Sequence, residues 1–177
     1  MFSEYGGVSG GGRYEGYWKD DMRSGKGVVY DKNGNVMFQG DFFCDRINGD
    51  GTSYHSDGYK EYEGEWIMDK CNGFGISYDE EGRPEYYGYW KIDMRHGSGI
   101  SYHTNGFKEY EGTWYQDKKS GPGVSYWEEV SEAVCYDGMW YNGLKNGKGR
   151  MFNLDGKLTC SGDFLDGEYV GSIRNNF

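Results

Sequence analysis

Three histidines, four cysteines and several paired acids are the residues of this sequence best suited to chemistry. His55, His96 and His103 could ligate a metal or carry a proton, but either role needs a second ligand or an orienting acid at short spacing. None of the three has a Cys or an acid at such spacing, so they read as solvated loop residues. Cys44, Cys71, Cys135 and Cys160 stand singly, without metal-ligand spacing, and read as reduced thiols. Glu63 and Glu65 could mimic a carboxylate pair, yet equivalent acids recur along the chain as they would on the solvated face of a strand. Gly73-Phe74-Gly75 lacks the strand-to-helix context of a dinucleotide loop. The expectation is a protein with no catalytic residues, no metal and no cofactor, and no enzyme activity.

The elements that must carry these residues are repeats. The stretch Tyr62-Glu63-Gly64-Glu65-Trp66 is followed by Gly73-Phe74-Gly75-Ile76-Ser77-Tyr78. The pattern is aromatic-x-Gly-x-aromatic, a polar gap, then Gly-x-Gly-aliphatic-x-aromatic. Its middle glycine recurs at Gly16, Gly40, Gly64, Gly88, Gly112, Gly138 and Gly162. The step is constant except between Gly112 and Gly138, where it is longer by two. A fixed period in the twenties indicates a repeat array. Copies start near residues 14, 38, 62, 86, 110, 136 and 160, preceded by a Gly-rich segment, 1–13, with a possible half-repeat near Tyr5. The beat slips by two residues after Tyr126, and the last copy is degenerate, with Ile173 where a glycine is expected. A degenerate last unit reads as a terminal cap.

Each half of the pattern is five or six residues, a strand length and too short for a helix. The fold class expected is all-β: an elongated, single-layer, twisted antiparallel β meander with one hairpin per repeat. Alternation places Tyr62, Gly64 and Trp66 on one face and Glu63 and Glu65 on the other. The Ile76 and Tyr78 columns are expected to join the Tyr/Trp face. The gaps 67–72 and 79–85 are expected to be the turn-forming connections.

Composition narrows the partners. A net charge of -10 argues against nucleic acid, whose phosphates it would repel. No apolar run approaches the ~18 residues of a spanning helix, and the first residues lack a signal-peptide pattern. A cytoplasmic setting, with cytoskeletal or membrane association, is expected.

These residues resemble the MORN repeat (membrane occupation and recognition nexus), whose signature is Tyr-x-Gly-x-Trp, a short gap and Gly-x-Gly. The likeness covers about residues 14–171. It implies a scaffold that binds a partner's peptide or helix along an aromatic groove, that dimerises through a terminal repeat, or that contacts anionic phospholipid. On that basis Tyr62, Trp66, Tyr78, Tyr86, Trp90, Tyr102, Tyr110 and Trp114 are the expected partner-binding aromatics. Tyr17, Tyr87, Tyr89 and Trp127 are secondary candidates, because the pattern does not require an aromatic there. The gaps from Trp to Gly-x-Gly hold 11 of the 19 cations against seven acids. Lys91, Arg95, Lys118 and Lys119 are therefore the candidate lipid-contacting residues of a mildly basic rim.

Overall fold

The computed structural model describes residues 12–171. Their regular structure is entirely β: 14 antiparallel strands in one open sheet, ordered as in the sequence. The strands are β1 (Arg13–Lys19), β2 (Met22–Tyr30), β3 (Val36–Phe43), β4 (Arg46–Tyr54), β5 (Lys60–Ile67), β6 (Lys70–Tyr78), β7 (Pro84–Lys91), β8 (Met94–Tyr102), β9 (Lys108–Tyr115), β10 (Lys118–Tyr126), β11 (Val134–Tyr141), β12 (Leu144–Phe152), β13 (Leu158–Leu165) and β14 (Glu168–Gly171). The half-repeat expected near Tyr5 and the cap residue Ile173 lie outside the described residues. The chain divides into two compact units, the first running to Pro84 and including 90–93, the second comprising 85–89 and the residues from Met94.

Strands are longer and turns shorter than the pattern alone indicates. Between Trp66 and Gly73 only Met68 and Asp69 turn, both at positive φ (49° and 64°). Two residues with positive φ make the hairpin turn whose twist matches its strands. Lys70, Cys71 and Asn72 are thereby released to pair with Ile67, Trp66 and Glu65. The same turn recurs at Cys44-Asp45, Ile92-Asp93 and Gln116-Asp117. Two of the connections between hairpins are closed by an Asp: Asp79 Oδ1 accepts N–H bonds from Glu81 (3.0 Å) and Arg83 (2.8 Å), as Asp31 Oδ1 does from Asn33 and Asn35 (both 2.8 Å). The two-residue slip is absorbed in the loop 127–133, and the pairing Gly123↔Gly138 beyond it keeps its register.

Glycine acts in two distinct ways. Gly73 has φ +59° and lies in a bulge between the pairs Gly64↔Gly75 and Glu65↔Asn72. Only a residue without a Cβ enters that region cheaply. Gly75 has ordinary strand geometry, but a Cβ there would collide with the Tyr62 hydroxyl and ring. The ring lies flat over bare backbone. Cross-strand pairing then lines the glycines up as a continuous row, Gly16, Gly27, Gly40, Gly51, Gly64 and Gly75, in the first unit.

Candidate interaction groove

The register decides which side chains share a face, because directly opposed residues on paired strands point the same way. Tyr62 opposes Ser77, whereas Glu63 opposes Ile76. The Ile76 and Tyr78 columns therefore join the acidic Glu63 column, and the expectation that they join the Tyr/Trp face is corrected. Tyr78 donates its hydroxyl to Glu63 Oε2 (3.2 Å), as Tyr30 does to Glu15 (3.0 Å) and Tyr126 to Glu111 (3.3 Å).

The Tyr/Trp face is a packed core. In the first unit, Tyr62 meets Trp66 and Trp90 edge-on at centroid distances of 5.1 and 5.4 Å. In the second, Tyr110 meets Trp114 and Trp140 at 5.2 and 5.3 Å, and Tyr86 meets Trp114 at 5.4 Å. Such edge-to-face pairs are the favoured arrangement of ring quadrupoles. Tyr62, Tyr86, Tyr110 and Trp114 are 3% exposed or less. Their polar atoms are satisfied internally: Tyr62 donates to the Glu65 carbonyl (3.1 Å), and Trp66, Trp90 and Trp114 donate to the carbonyls of Gly51, Gly75 and Gly99. Burial raises the Tyr62, Tyr86 and Tyr110 pKa values above the ordinary phenol range. The eight expected partner-binding aromatics thus do not form one surface. In the first unit Tyr62, Trp66 and Trp90 pack on one face and Tyr78 lies on the other; in the second Tyr86, Tyr110 and Trp114 pack on one face and Tyr102 lies on the other. Trp18 Nε1 is buried with no acceptor among the described residues. Its counterparts Trp66, Trp90 and Trp114 each donate to a carbonyl of the preceding copy, and the position equivalent for Trp18, Ser3, lies outside the described residues.

The hairpin rim is a ladder of clamps. Asp69 donates its backbone N–H to the Ile47 carbonyl (3.0 Å), and its Oδ1 accepts the Ile47 N–H (2.8 Å). Asp45 holds Arg23, Asp93 holds Cys71 and Asp117 holds Arg95 in the same way. The cations pair into this ladder: Arg46 with Asp69 and Lys70 with Asp93, each at 2.6 Å, and Arg95 with Asp117 at 3.3 Å. Of the expected lipid-contacting residues, Arg95 lies over the Trp114 ring (4.3 Å). Lys119 binds Glu109 (2.7 Å) and lies near the Tyr110 and Trp140 rings, while Lys118 donates to Asn142 (2.6 Å). Lys91 is exposed. Four of the 11 rim cations, Arg23, Arg46, Lys70 and Arg95, pair with the next hairpin's aspartate, which spacing alone does not reveal. Desolvation and Asp93 push the Cys71 thiol up to about 12.

Tyr17, Tyr87 and Tyr89 are exposed, at 53%, 42% and 52%, on the face of the Glu63 column. Tyr17 and Tyr89 lie beside the bulge glycines Gly25 and Gly97. Trp127 is partly buried and donates Nε1 to the Phe152 carbonyl (3.2 Å). His55 and His103 occupy the equivalent loop position and reach the carbonyls of Tyr78 (3.2 Å) and Tyr126 (3.5 Å). These two histidines bridge neighbouring hairpins, a correction to their reading as solvated loop residues.

In the first unit the Glu63 face forms a groove of about 1050 Å³. Its floor is the glycine row, and Glu15, Tyr17, Lys26, Val28, Gln39, Asp50, Thr52, Tyr54, Lys60 and Glu63 line it. Lys60 pairs with Glu63 (2.8 Å) and lies over the Tyr78 ring (5.9 Å). The hydrogen bond from Lys60, more than any other influence, holds the Glu63 carboxyl below its usual pKa. Lys108, Glu111 and Tyr126 repeat this triad in the second unit. A signal for it was available: Lys60-Glu61-Tyr62-Glu63-Gly64 recurs two copies later as Lys108-Glu109-Tyr110-Glu111-Gly112. A double period underlies the single one.

An open antiparallel sheet of hairpins with a Tyr-Gly-Trp ladder defines a repeat-built β module. The MORN repeat family model matches residues 14–36, 62–82, 86–107, 110–129 and 136–153, more than half of the chain, and the chain belongs to that family. MORN repeats are protein- and membrane-interacting modules. No curated protein matches the sequence.

Proposed function

We propose that this chain is a non-enzymatic scaffold of seven MORN repeats that binds a segment of a protein partner along the groove face. The unmatched hairpins β3–β4 and β13–β14 are read as diverged copies. Phe38 and Phe42 stand there for Tyr and Trp, and Cys160 and Phe164 do so in the last. The observation that carries the binding reading is the groove over the glycine row, where the exposed Tyr17, the half-buried Tyr54 and charged side chains stand around a floor of glycine backbone. Aromatic rings beside polar groups are the usual anchors of peptide recognition. In the second unit Tyr87, Tyr89 and Tyr102 occupy the same face. The test is selection of binding peptides from a random library on the folded chain, then binding to a Tyr17→Ser, Tyr54→Ser variant. Loss of binding with an unchanged urea midpoint supports the groove; undiminished binding overturns it. A homodimer through β13–β14 belongs to the same reading, and light scattering of a chain lacking 160–177 tests it.

A second reading, peripheral contact with an anionic membrane, is favoured by one observation. Phe43, Ile67, Met68 and Ile92 are 63%, 54%, 71% and 56% exposed at successive hairpin tips of the first unit. Flotation with anionic liposomes at low and physiological salt tests it. Insertion of these side chains predicts flotation that survives salt and is lost in Met68→Asn, Ile92→Asn; no flotation at either salt ends this reading.

A further inference from the structure

We propose that the groove of the first unit takes an arginine-bearing segment in an extended, polyproline II-like form, with arginines about six residues apart. This rests on the reading that the groove binds a polypeptide, and adds the chemistry and conformation of the occupant.

Charge favours a cationic occupant. The carboxylates of Glu15, Asp50 and Glu63 line the groove against the ammonium groups of Lys26 and Lys60. Both lysines are already tied to acids, Lys26 to Asp41 at 2.7 Å and Lys60 to Glu63 at 2.8 Å, and Arg13 stands 3.2 Å from Glu15. Over Glu15, Asp41, Asp50 and Glu63 against Arg13, Lys26 and Lys60, the acids remain in excess, and the whole chain carries -10. A guanidinium can add to carboxylates that already accept other bonds, and can lay its plane on a tyrosine ring. Tyr17 and Tyr54 supply rings in the same lining.

Spacing favours an extended form. Glu15, Val28, Gln39, Thr52 and Glu63 oppose one another in register across β1 to β5. Neighbouring strands lie about 4.8 Å apart, so Glu15, Gln39 and Glu63 follow at intervals of about 9.6 Å. A polyproline II segment rises about 9.3 Å per three-residue turn and returns every third residue to the same side. Residues facing Glu15 and Glu63 then stand about six apart, with a polar residue over Gln39.

The test is fluorescence anisotropy on the full chain, with two labelled proline-rich peptides of identical composition and arginines six or four residues apart. The six-residue spacing should bind about tenfold more tightly, and lysine replacement should weaken it. Glu15→Gln with Glu63→Gln should remove the spacing preference and cost at least about tenfold in Kd. Glu80→Gln with Glu81→Gln, the same charge change on an interhairpin loop, should cost less than about twofold. Equal binding of both spacings, or equal loss in the two variants, overturns the proposal in favour of general polycation adsorption. Library selection on the same chain separates the two levels. Arginine-free segments whose capture is lost in Tyr17→Ser, Tyr54→Ser overturn this occupant and keep the groove. Absence of any selected segment removes both.

Discussion

Gly75 and Gly58 show how differently two glycines of the array act. A Cβ on Gly75 would enter the space of the buried Tyr62 ring, whereas a Cβ on Gly58 would meet nothing within 4 Å and suffer only from φ +94°. Gly75→Ala should therefore destabilise by about 1–3 kcal/mol through forced displacement of the ring. Gly58→Ala should cost about 1–2 kcal/mol through backbone strain alone. Urea midpoints measure both, and only Gly75→Ala should also alter the near-ultraviolet aromatic signal. Cysteine reactivity gives a second contrast. Cys44 is exposed on a hairpin turn, while burial and Asp93 push the Cys71 thiol up to about 12. The thiolate is the reactive form, so at pH 8 the native chain should label at Cys44 and be protected at Cys71. Mass spectrometry after brief alkylation reads this directly.

At the scale of the hairpin, the turn aspartates link one copy to the next. Asp69 tolerates a left-handed backbone poorly compared with Gly, yet it holds the Ile47 N–H and Arg46 of the preceding hairpin. Asp69→Ala should cost about 1–2 kcal/mol by removing both contacts. Asp69→Asn, which keeps an acceptor oxygen, should cost under about 1 kcal/mol. Burial raises the Asp69 pKa, but the bonds from Arg46 and the Ile47 amide outweigh it and leave the carboxyl lowered. A lowered folded-state pKa contributes stability above the unfolded value, near 3.9, which is lost as pH falls through the folded value. The gap between wild type and Asp69→Asn should accordingly be full at pH 6 and close below pH ~3.9. The last two hairpins turn on Asn142-Gly143 and Asp166-Gly167, where the backbone bonds to Lys119 and Lys145 persist without an aspartate at the second turn position.

For the whole molecule, strands pair with sequence neighbours, so stability should accumulate copy by copy. A chain ending at residue 126 should keep its β circular dichroism per residue and melt earlier. Loss of all β signal would show that later hairpins nucleate the sheet. Much of this architecture was legible beforehand: the repeat period, two strands per copy, the slip after Tyr126 and the exposure of Tyr17, Tyr87 and Tyr89. The candidate site was less so. Five of the eight aromatics singled out for binding are buried core and Trp90 packs half-buried against that core, and rim cations such as Arg46, Lys70 and Arg95 are held by the aspartate of the next hairpin turn.

The sequence alone determines the repeat, its strands and its glycines, because periodicity and bare backbone beneath rings are local properties of the chain. It also determines parity within each strand, so Tyr62 and Trp66 had to share a face. Parity between strands was settled only by tertiary structure, because it depends on turn length and on the bulge at Gly73, which together set register. With a two-residue turn at Met68-Asp69 and Gly64 opposite Gly75, Ser77 lies beside Tyr62 and Ile76 beside Glu63. That register buries the aromatic column as a core and leaves the acid-and-tyrosine face as the groove.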